Sequence, residues 1–434
     1  MFNNLNETLD YIYSFTNLEN TINSRIASHS YNLNNIRLIL DKLGNPQNNF
    51  KIFHIAGTKG KGSVSFYISA LLEKSEHTVM TFMSPHLITP LERILYNLKN
   101  IDEKTFIEAA FTLKTEMTIA NLNPTTFEAF FAIFLLIAAK LKPDYLVVET
   151  GLGGRLDTTN IIYPVVSVIT KLGLDHTEYL GKRLSDIAYE KGGIIKQGSI
   201  AVIAPQKPSL KMILKKIADE RGSRFYYSKD IFKAKSIRYT VNGVEYTIVS
   251  HADKSIALKN LFTGIYGAIQ LDNLITALAA VHLYEKNIIK KIADLQIKGS
   301  IAGRFTVLRK NPLIIVDTAH NPESGKALAS ILKKHFPLIK KWNLLTTMAA
   351  DKDYKKFYKE LLPITDEITI VPINAYKKSN ESAILSHLRV LHNHVKLENN
   401  TDKAFCEAVD SSKPLLVTGS FYICGPFLEY FSKR

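Results

Sequence analysis

The chain has 434 residues, long enough for two or three domains with real cores. At 46% hydrophobic and 22% charged it is neither disordered nor of low complexity, and its two cysteines, Cys406 and Cys424, exclude a disulfide framework or a C-x-x-C metal site. The formal charge of +15 points to anionic partners, but the lysines come as scattered pairs (215–216, 290–291, 333–334) that suit small anions better than a nucleic-acid stripe.

The N-terminal MFNNLNETLDY lacks an apolar signal core, and the longest apolar run, Ala129 to Ala139, is too short to span a bilayer. A soluble, cytoplasmic protein is expected, with no membrane partner. Along the chain, short β-branched runs alternate with helical patterns. Strands are predicted at 51–56, 144–149, 165–170, 199–204, 313–317, 343–347, 367–373 and 414–418. Many are apolar throughout, as strands covered on both faces are. Between them, Val64, Tyr67, Ile68, Leu71 and Leu72 fall at helical spacing in 61–76. Alternating strands and helices predict a parallel α/β sheet. Residues 225–265 alternate instead like antiparallel strands, with a hairpin through Asn242-Gly243. A long helix is expected over about 267–293. The small, glycine-containing stretch IKGSIAGRF (297–305) then breaks the pattern. The expected organisation is a larger first domain over 1–297, a linker over 298–303 and a C-terminal domain over 304–434. The first is α/β, a mostly parallel P-loop-type sheet with a small antiparallel element. The second is a smaller, Rossmann-like α/β domain.

The chemistry-bearing residues fall where these strands end. After strand 51–56 comes GTKGKGS (57–63), three glycines and two lysines in a turn that opens a helix. Backbone N–H groups and the helix N-terminus there would cradle phosphate. Lys61 would reach the β- or γ-phosphate and Ser63 a magnesium ion. The strict pattern G-x-x-x-x-G-K-[ST] fails, however, because it needs glycine where Ile55 stands. Glu149 closes the apolar strand 144–149 before Gly151, Gly153 and Gly154, a place for a magnesium-holding carboxylate or simply a charged strand end. His176 lies among Asp175 and Glu178 after the next strand, in reach of metal chemistry. Lys191, beside two glycines, would be an ordinary ion-paired lysine or, if buried and neutral, could carry a carbamate. Asp317 and His320 end the strand 313–317, and Arg304 sits at the domain junction where it could clamp phosphate. Gln270 and Asn273 share a helix face, set to read an adenine edge or to cap buried polar groups.

Taken in order, GTKGKGS, SPHL with ER (84–87, 92–93), ETGLGGRLD-TN, LDHTEYLG, EKGGIIK, the helix with Gln270 and Asn273, AGRF, AHNP and the late GS-Y (Gly419, Ser420, Tyr422) resemble folylpolyglutamate synthase/dihydrofolate synthase, the folate branch of the Mur ligase superfamily. The resemblance runs from about residue 40 to 430. Its loop form, G-T-[NK]-G-K-[GT]-[ST], accounts for the failed P-loop pattern. It implies an ATP-dependent ligase that phosphorylates a carboxylate and joins L-glutamate to the resulting acyl phosphate. The substrate would be dihydropteroate, the glutamate tail of a reduced folate, or both. By the same resemblance Gly60, Lys61, Gly62 and Ser63 form the ATP phosphate loop, and Asn273, Arg304 and Asp317 are further ATP contacts. Ser84, Glu149 and His176 hold Mg²⁺, two ions being expected. Lys191 becomes N6-carboxylysine, His320 neighbours the active site, and Lys61, Lys191, His176 and His320 form the catalytic set. Thr125, Thr126, Phe127, Arg155 and Leu156 belong to the pteroate pocket. The implied partners are small molecules, and a monomer is expected. The chain departs from the family in three places: YNLNNI (31–36) stands where a glycine, acid and arginine are usual, Ala302-Gly303-Arg304 replaces P-G-R, and D-T-A-H-N-P replaces D-G-A-H-N-P. Two other functions fit individual features: a Mur-type ligase for a UDP-linked cell-wall substrate, and a basic, nucleotide-regulated nucleic-acid binder.

Overall fold

The computed structural model describes residues 2–16, 32–251, 253, 256–292, 296–297, 301–373 and 379–434. Tyr31 of the altered pterin stretch and residues 298–300 of the expected linker lie outside them. The chain divides into two compact units. The first comprises Met1–Ser236, Thr247–Leu261 and Ile269–Leu295; the second comprises Ile237–Tyr246, Phe262–Ala268 and Gln296–Arg434. The second unit thus takes up two segments upstream of the break at 297–305.

The first unit is built on an eight-stranded sheet. Its strands are β1 (Lys51–Ala56), β2 (Val79–Phe82), β3 (Ile94–Tyr96), β4 (Lys99–Asn100), β5 (Tyr145–Glu149), β6 (Val166–Ile169), β7 (Ile200–Ile203) and β8 (Arg224–Tyr227). Their order is β4-β3-β2-β5-β1-β6-β7-β8. From β2 to β8 all neighbours are parallel, while β3 and β4 add an antiparallel edge. β1 is buried between β5 and β6, so its apolar residues face helices on both sides. The chain passes from β1 to β2 on one side and from β5 across β1 to β6 on the other. That reversal opens a crevice at the carboxyl ends of β1, β5 and β6, the position where open α/β sheets bind ligands.

The helix Thr126–Leu141 packs its phenylalanines into the core. Phe131 and Phe134 lie 5.4 and 5.3 Å from Phe82, ring to ring. A capping box fixes its start: Thr125 N–H donates to Glu128 Oε2 at 2.7 Å, and Glu128 N–H to Thr125 Oγ1 at 3.3 Å.

A four-stranded sheet follows, in the order β12-β11-β10-β9: β9 (Phe232–Thr240), β10 (Gly243–Ser250), β11 (Ala257–Thr263) and β12 (Gln296–Ile297). Two residues, Val241 and Asn242, join β9 to β10, a connection that only antiparallel neighbours permit. The expected hairpin is there. β11 and β12, however, pair in parallel. The expected single helix over 267–293 is two, Ala268–Tyr284 and Lys286–Lys291, broken at Glu285.

The second unit carries a six-stranded sheet, β13-β14-β18-β15-β16-β17, from β13 (Thr306–Lys310), β14 (Leu313–Asp317), β15 (Trp342–Thr346), β16 (Thr365–Ile370), β17 (Val395–Leu397) and β18 (Leu415–Thr418). All but the β13–β14 pair are parallel. Its core gathers Phe305, Phe336, Trp342, Phe357 and Tyr358 between sheet and helices. Across the described residues no helix is long and apolar enough to cross a membrane.

Candidate active site

The glycine-rich loop leaves β1 and turns into the helix Lys61–Lys74. The amides of Thr58 and Lys59 donate to Lys171 O at 3.1 and 3.0 Å, so the loop is stitched to the segment after β6. Gly60 has φ +92°, a conformation side chains rarely adopt, and a Cβ there would come within 2.4 Å of Asn273 Oδ1. A Cβ on Gly57 would lie 1.8 Å from Thr170 Oγ1. At Gly57 and Gly60 the loop therefore has room only for backbone. Behind it, Asn273 donates to Gln270 Oε1 at 3.0 Å and Gln270 donates to Ser63 Oγ at 3.3 Å. Both amides are buried, so they also satisfy each other as interior polar groups must.

Lys61 Nζ lies 3.7 Å from Glu149 Oε1. Glu149 is 4% exposed at the end of β5 and also accepts the Ser84 amide, at 3.4 Å. Gly62 completes the corner, since a Cβ there would meet Glu149 Oε2 at 3.5 Å. Parallel pairing of β1 with β5 sets Ile55 opposite Glu149 and brings the loop to this carboxylate.

Lys191 occupies the last turn of the helix Leu184–Gly192 and is 4% exposed. Burial first, then the charge of Lys61, brings its ammonium down to about 7, against the opposing pull of Asp175, Asp157 and Glu190. Glycines make this burial possible. A Cβ on Gly154 would press on the Glu190 and Lys191 carbonyls at 2.8 and 3.0 Å, and one on Gly193 would lie 2.4 Å from Arg155 Cβ. Asp157 is buried too. Burial raises its carboxyl, while bonds from Thr159 and Leu152 and the Lys61 charge pull the other way. Thr159 Oγ1 bonds His54 Nε2 at 2.9 Å, and burial, followed by the charge of Lys196, pushes His54 down to about 3.

The second unit holds its own cluster at the carboxyl end of β14. Asp317 accepts the Phe305 and Ala319 amides at 2.9 and 2.8 Å. Burial raises its carboxyl against the charge of Arg304. Arg304 donates to Thr318 Oγ1 at 3.3 Å and lies over the Phe421 ring at 5.7 Å. His320 Nδ1 is 2.8 Å from Thr318 O, with its ring 5.6 Å from Phe421.

The Mur ligase middle domain family matches residues 55–281, more than half of the chain, and the Mur ligase glutamate ligase domain family matches residues 303–421. This chain belongs to the Mur ligase family. Among relatives, the dihydrofolate synthase/folylpolyglutamate synthase of Buchnera aphidicola subsp. Baizongia pistaciae is 30% identical over 395 residues, 90% of this chain and 88% of that one. The protein of the same name from Bacillus subtilis is 28% identical over 413 residues, 93% and 94% of the two chains. The solved Mycobacterium tuberculosis folylpolyglutamate synthase complexed with ADP and AMPPCP is 25% identical. It superposes with a TM-score of 0.81 over 93% of this chain and 96% of the other. The chain is an ATP-dependent ligase of the folylpolyglutamate synthase/dihydrofolate synthase branch.

Within this Mur ligase, Gly60, Lys61, Gly62, Ser63, Asn273, Glu149, Ser84 and Lys191 gather in the first unit around the loop. Arg304, Asp317 and His320 gather in the second. His176 caps the short helix Thr177–Leu180 in a left-handed conformation, φ +46°, with its side chain 56% exposed. Among the described residues no group of three or more His, Cys, Asp or Glu is arranged to hold a metal ion. Of the pteroate set, Thr126 spends its hydroxyl on Ile12 O and Phe15 O at 3.4 and 3.3 Å, and Thr125 is a helix cap. Phe127 stands against Gly151, where a Cβ would meet its ring at 2.6 Å. Arg155 pairs with Glu190 at 2.9 Å, and Leu156 is half-buried.

Asp157 and Thr159 stand inside the ETGLGGRLD-TN motif without a site role assigned to them there, and His54 lies outside the motifs. Two signals were available: a histidine inside an otherwise apolar strand, and the D-x-T spacing of 157–159, with which Asp157 caps its own turn.

Proposed function

We propose that the chain adds L-glutamate to dihydropteroate, to the glutamate tail of reduced folates, or to both, and that the crevice around Lys61 is where it does so. The observation that carries this reading is the buried Glu149 carboxylate, 3.7 Å from the ammonium of a loop too tight for any side chain at Gly60. The loop amides and Lys61 bind the ATP phosphates. The substrate carboxylate attacks the γ-phosphorus, the bond to ADP breaks, and an acyl phosphate forms. The glutamate amine then attacks the acyl carbon and phosphate leaves. Two anions must meet in the first step, so positive charge fixed beforehand lowers its barrier.

Asn273, Arg304 and Asp317 are proposed as further ATP contacts. His320 lies beside the last two. Thr125, Thr126, Phe127, Arg155 and Leu156 are the proposed border of the pteroate.

Magnesium fits the Glu149 corner. The buried Glu149 carboxylate supplies hard oxygen donors, and the backbone of Ser84 lies beside it. Glu149 and Ser84 would hold it, with His176 as a further ligand. When bound, the ion neutralises phosphate charge and orients the γ-phosphate. Lys191 would carry a carbamate: the neutral amine attacks CO₂, a C–N bond forms and an N–H proton passes to water. An ammonium at about 7 leaves a large neutral fraction for that step. A cytoplasmic location and a monomeric state belong to the same proposal.

The test is ATP turnover with glutamate and either dihydropteroate or tetrahydrofolate, read as phosphate release and product mass. Turnover with one or both assigns the reaction. Release with neither, but with a UDP-linked cell-wall precursor, would move the chain to another Mur ligase activity.

A further inference from the structure

The helix that carries Lys191 ends at Gly192, and its last carbonyls have no partner within the helix. The turn that follows is tied down at every carbonyl from 193 to 195, and one side chain supplies two of the four ties. Arg221 Nη1 donates to Gly193 O at 3.1 Å and also to Ile195 O. Its backbone carbonyl accepts the Gly198 amide at 3.4 Å. Ser167 Oγ donates to Ile194 O at 2.9 Å, and Asn160 Nδ2 adds a second bond to Gly193 O at 3.3 Å. Arg221 itself is the last residue of a neighbouring element, the C-cap of the helix Pro208–Glu220. That helix packs so closely on the Lys191 helix that a Cβ on Gly192 would lie 2.7 Å from Ile217 Cδ1. A guanidinium spanning two carbonyls just past a helix C-terminus is well placed there, because it faces the negative end of the helix dipole.

We infer that Arg221 is a positioning residue for Lys191. It locks the turn on which the reactive lysine hangs, at a distance from the reacting groups. The inference rests on the role proposed above for Lys191. A lysine side chain is long and freely rotating, so its Nζ is held in one place only if its Cα is. Here the Cα is fixed from three sides: by the loop at Gly154, by the helix at Ile217 and by the Arg221 clamp. The clamp can be removed without changing what packs against the lysine.

The experiment compares the full-length wild type with Arg221→Met, which keeps the stem and removes every donor, and Arg221→Lys, whose single nitrogen can still bridge both carbonyls. Steady-state kinetics are measured with carbon-13 NMR of the carbamate carbon in ¹³C-bicarbonate buffer, using Lys191→Ala to assign the signal. Arg221→Met is expected to lower kcat roughly tenfold, in keeping with the cost of small misplacements in an active site. KM for ATP should stay within about twofold, and the carbamate signal should weaken in parallel. Arg221→Lys should restore most of both. If Arg221→Met does not fold, Ser167→Ala removes one bond from the same turn by a single-atom deletion and should give the same signature at lower amplitude. A kcat that falls only with the folded fraction seen by circular dichroism, with an unchanged carbamate signal, overturns the inference. A wild type with no carbamate signal refutes the carbamate and leaves the clamp to stand or fall on kcat and the lysine rescue. If no folate substrate is turned over, the carbamate signal alone decides it.

Discussion

Gly60→Ala probes the loop with a single carbon. Two costs add. The backbone at φ +92° is left-handed territory, which costs an L-residue about 1–2 kcal/mol. The new Cβ would also sit 2.4 Å from Asn273 Oδ1, so that amide has to move. Asn273 is 1% exposed and holds Gln270 at 3.0 Å, and a buried amide that loses its partner costs about 1–3 kcal/mol. The sum is about 2–5 kcal/mol, or roughly 4–20 °C in Tm for a unit of this size. Gly198→Ala is the internal control. It has φ +70° and nothing within 4 Å of the new Cβ, so it carries only the backbone cost. Thermal unfolding followed by circular dichroism should show Gly60→Ala clearly below Gly198→Ala, with a raised KM for ATP in the first variant alone. Equal melting temperatures for the two would refute the contact with Asn273 as the reason glycine is required.

Other residues make separate expectations. Lys61→Ala should leave the circular dichroism spectrum intact, because the side chain lies at the site surface, yet reduce phosphate release roughly a thousandfold; wild-type release would remove Lys61 from the chemistry. Lys191→Ala should be inactive and partly rescued by short carboxylic acids that replace the carbamate, and absence of rescue counts against it. In the wild type the rate should fall as pH drops through about 7, where the Lys191 amine takes its proton. His54 gives a stability signature. Its folded value, about 3, lies below the ordinary 6.5, so the unfolded chain takes up a proton that the fold refuses. Stability is therefore full above about 6.5 and is lost as pH falls towards 3, by about 1.4 kcal/mol per unit. His54→Gln should flatten that acid limb in urea titrations, and an unchanged slope would contradict the burial argument. Arg304→Ala should raise KM for ATP while leaving Tm within a degree or two, since its guanidinium is exposed and makes one long bond; an unaltered KM would take it out of nucleotide binding.

Much of the architecture is legible in the local pattern. Apolar β-branched runs lie close to where β1, β5, β6, β7, β14, β15, β16 and β18 form, because strands buried on both faces leave a continuous signature. β3 and β4 were not legible. They are short, and their turn uses Asn97 and Leu98 at φ +47° and +61° without the glycine that usually marks it. β13 and β17 are only half-buried and lack an apolar run.

Which chemical groups the chain carries, and in what order, is legible without the fold: GTKGKGS, Glu149, Lys191, Arg304 and Asp317 are all visible as residues. Only the tertiary structure decided what those groups are. Glu149 becomes the partner of Lys61 because β5 pairs with β1, Ile55 opposite Glu149, as neighbours in the sheet though far apart in the chain. Lys191 becomes a lysine near neutrality because glycines at 154, 192 and 193 let three segments close over it and because Lys61 lies within electrostatic reach. Charge, burial and distance belong to the assembled site, and no local pattern carries them.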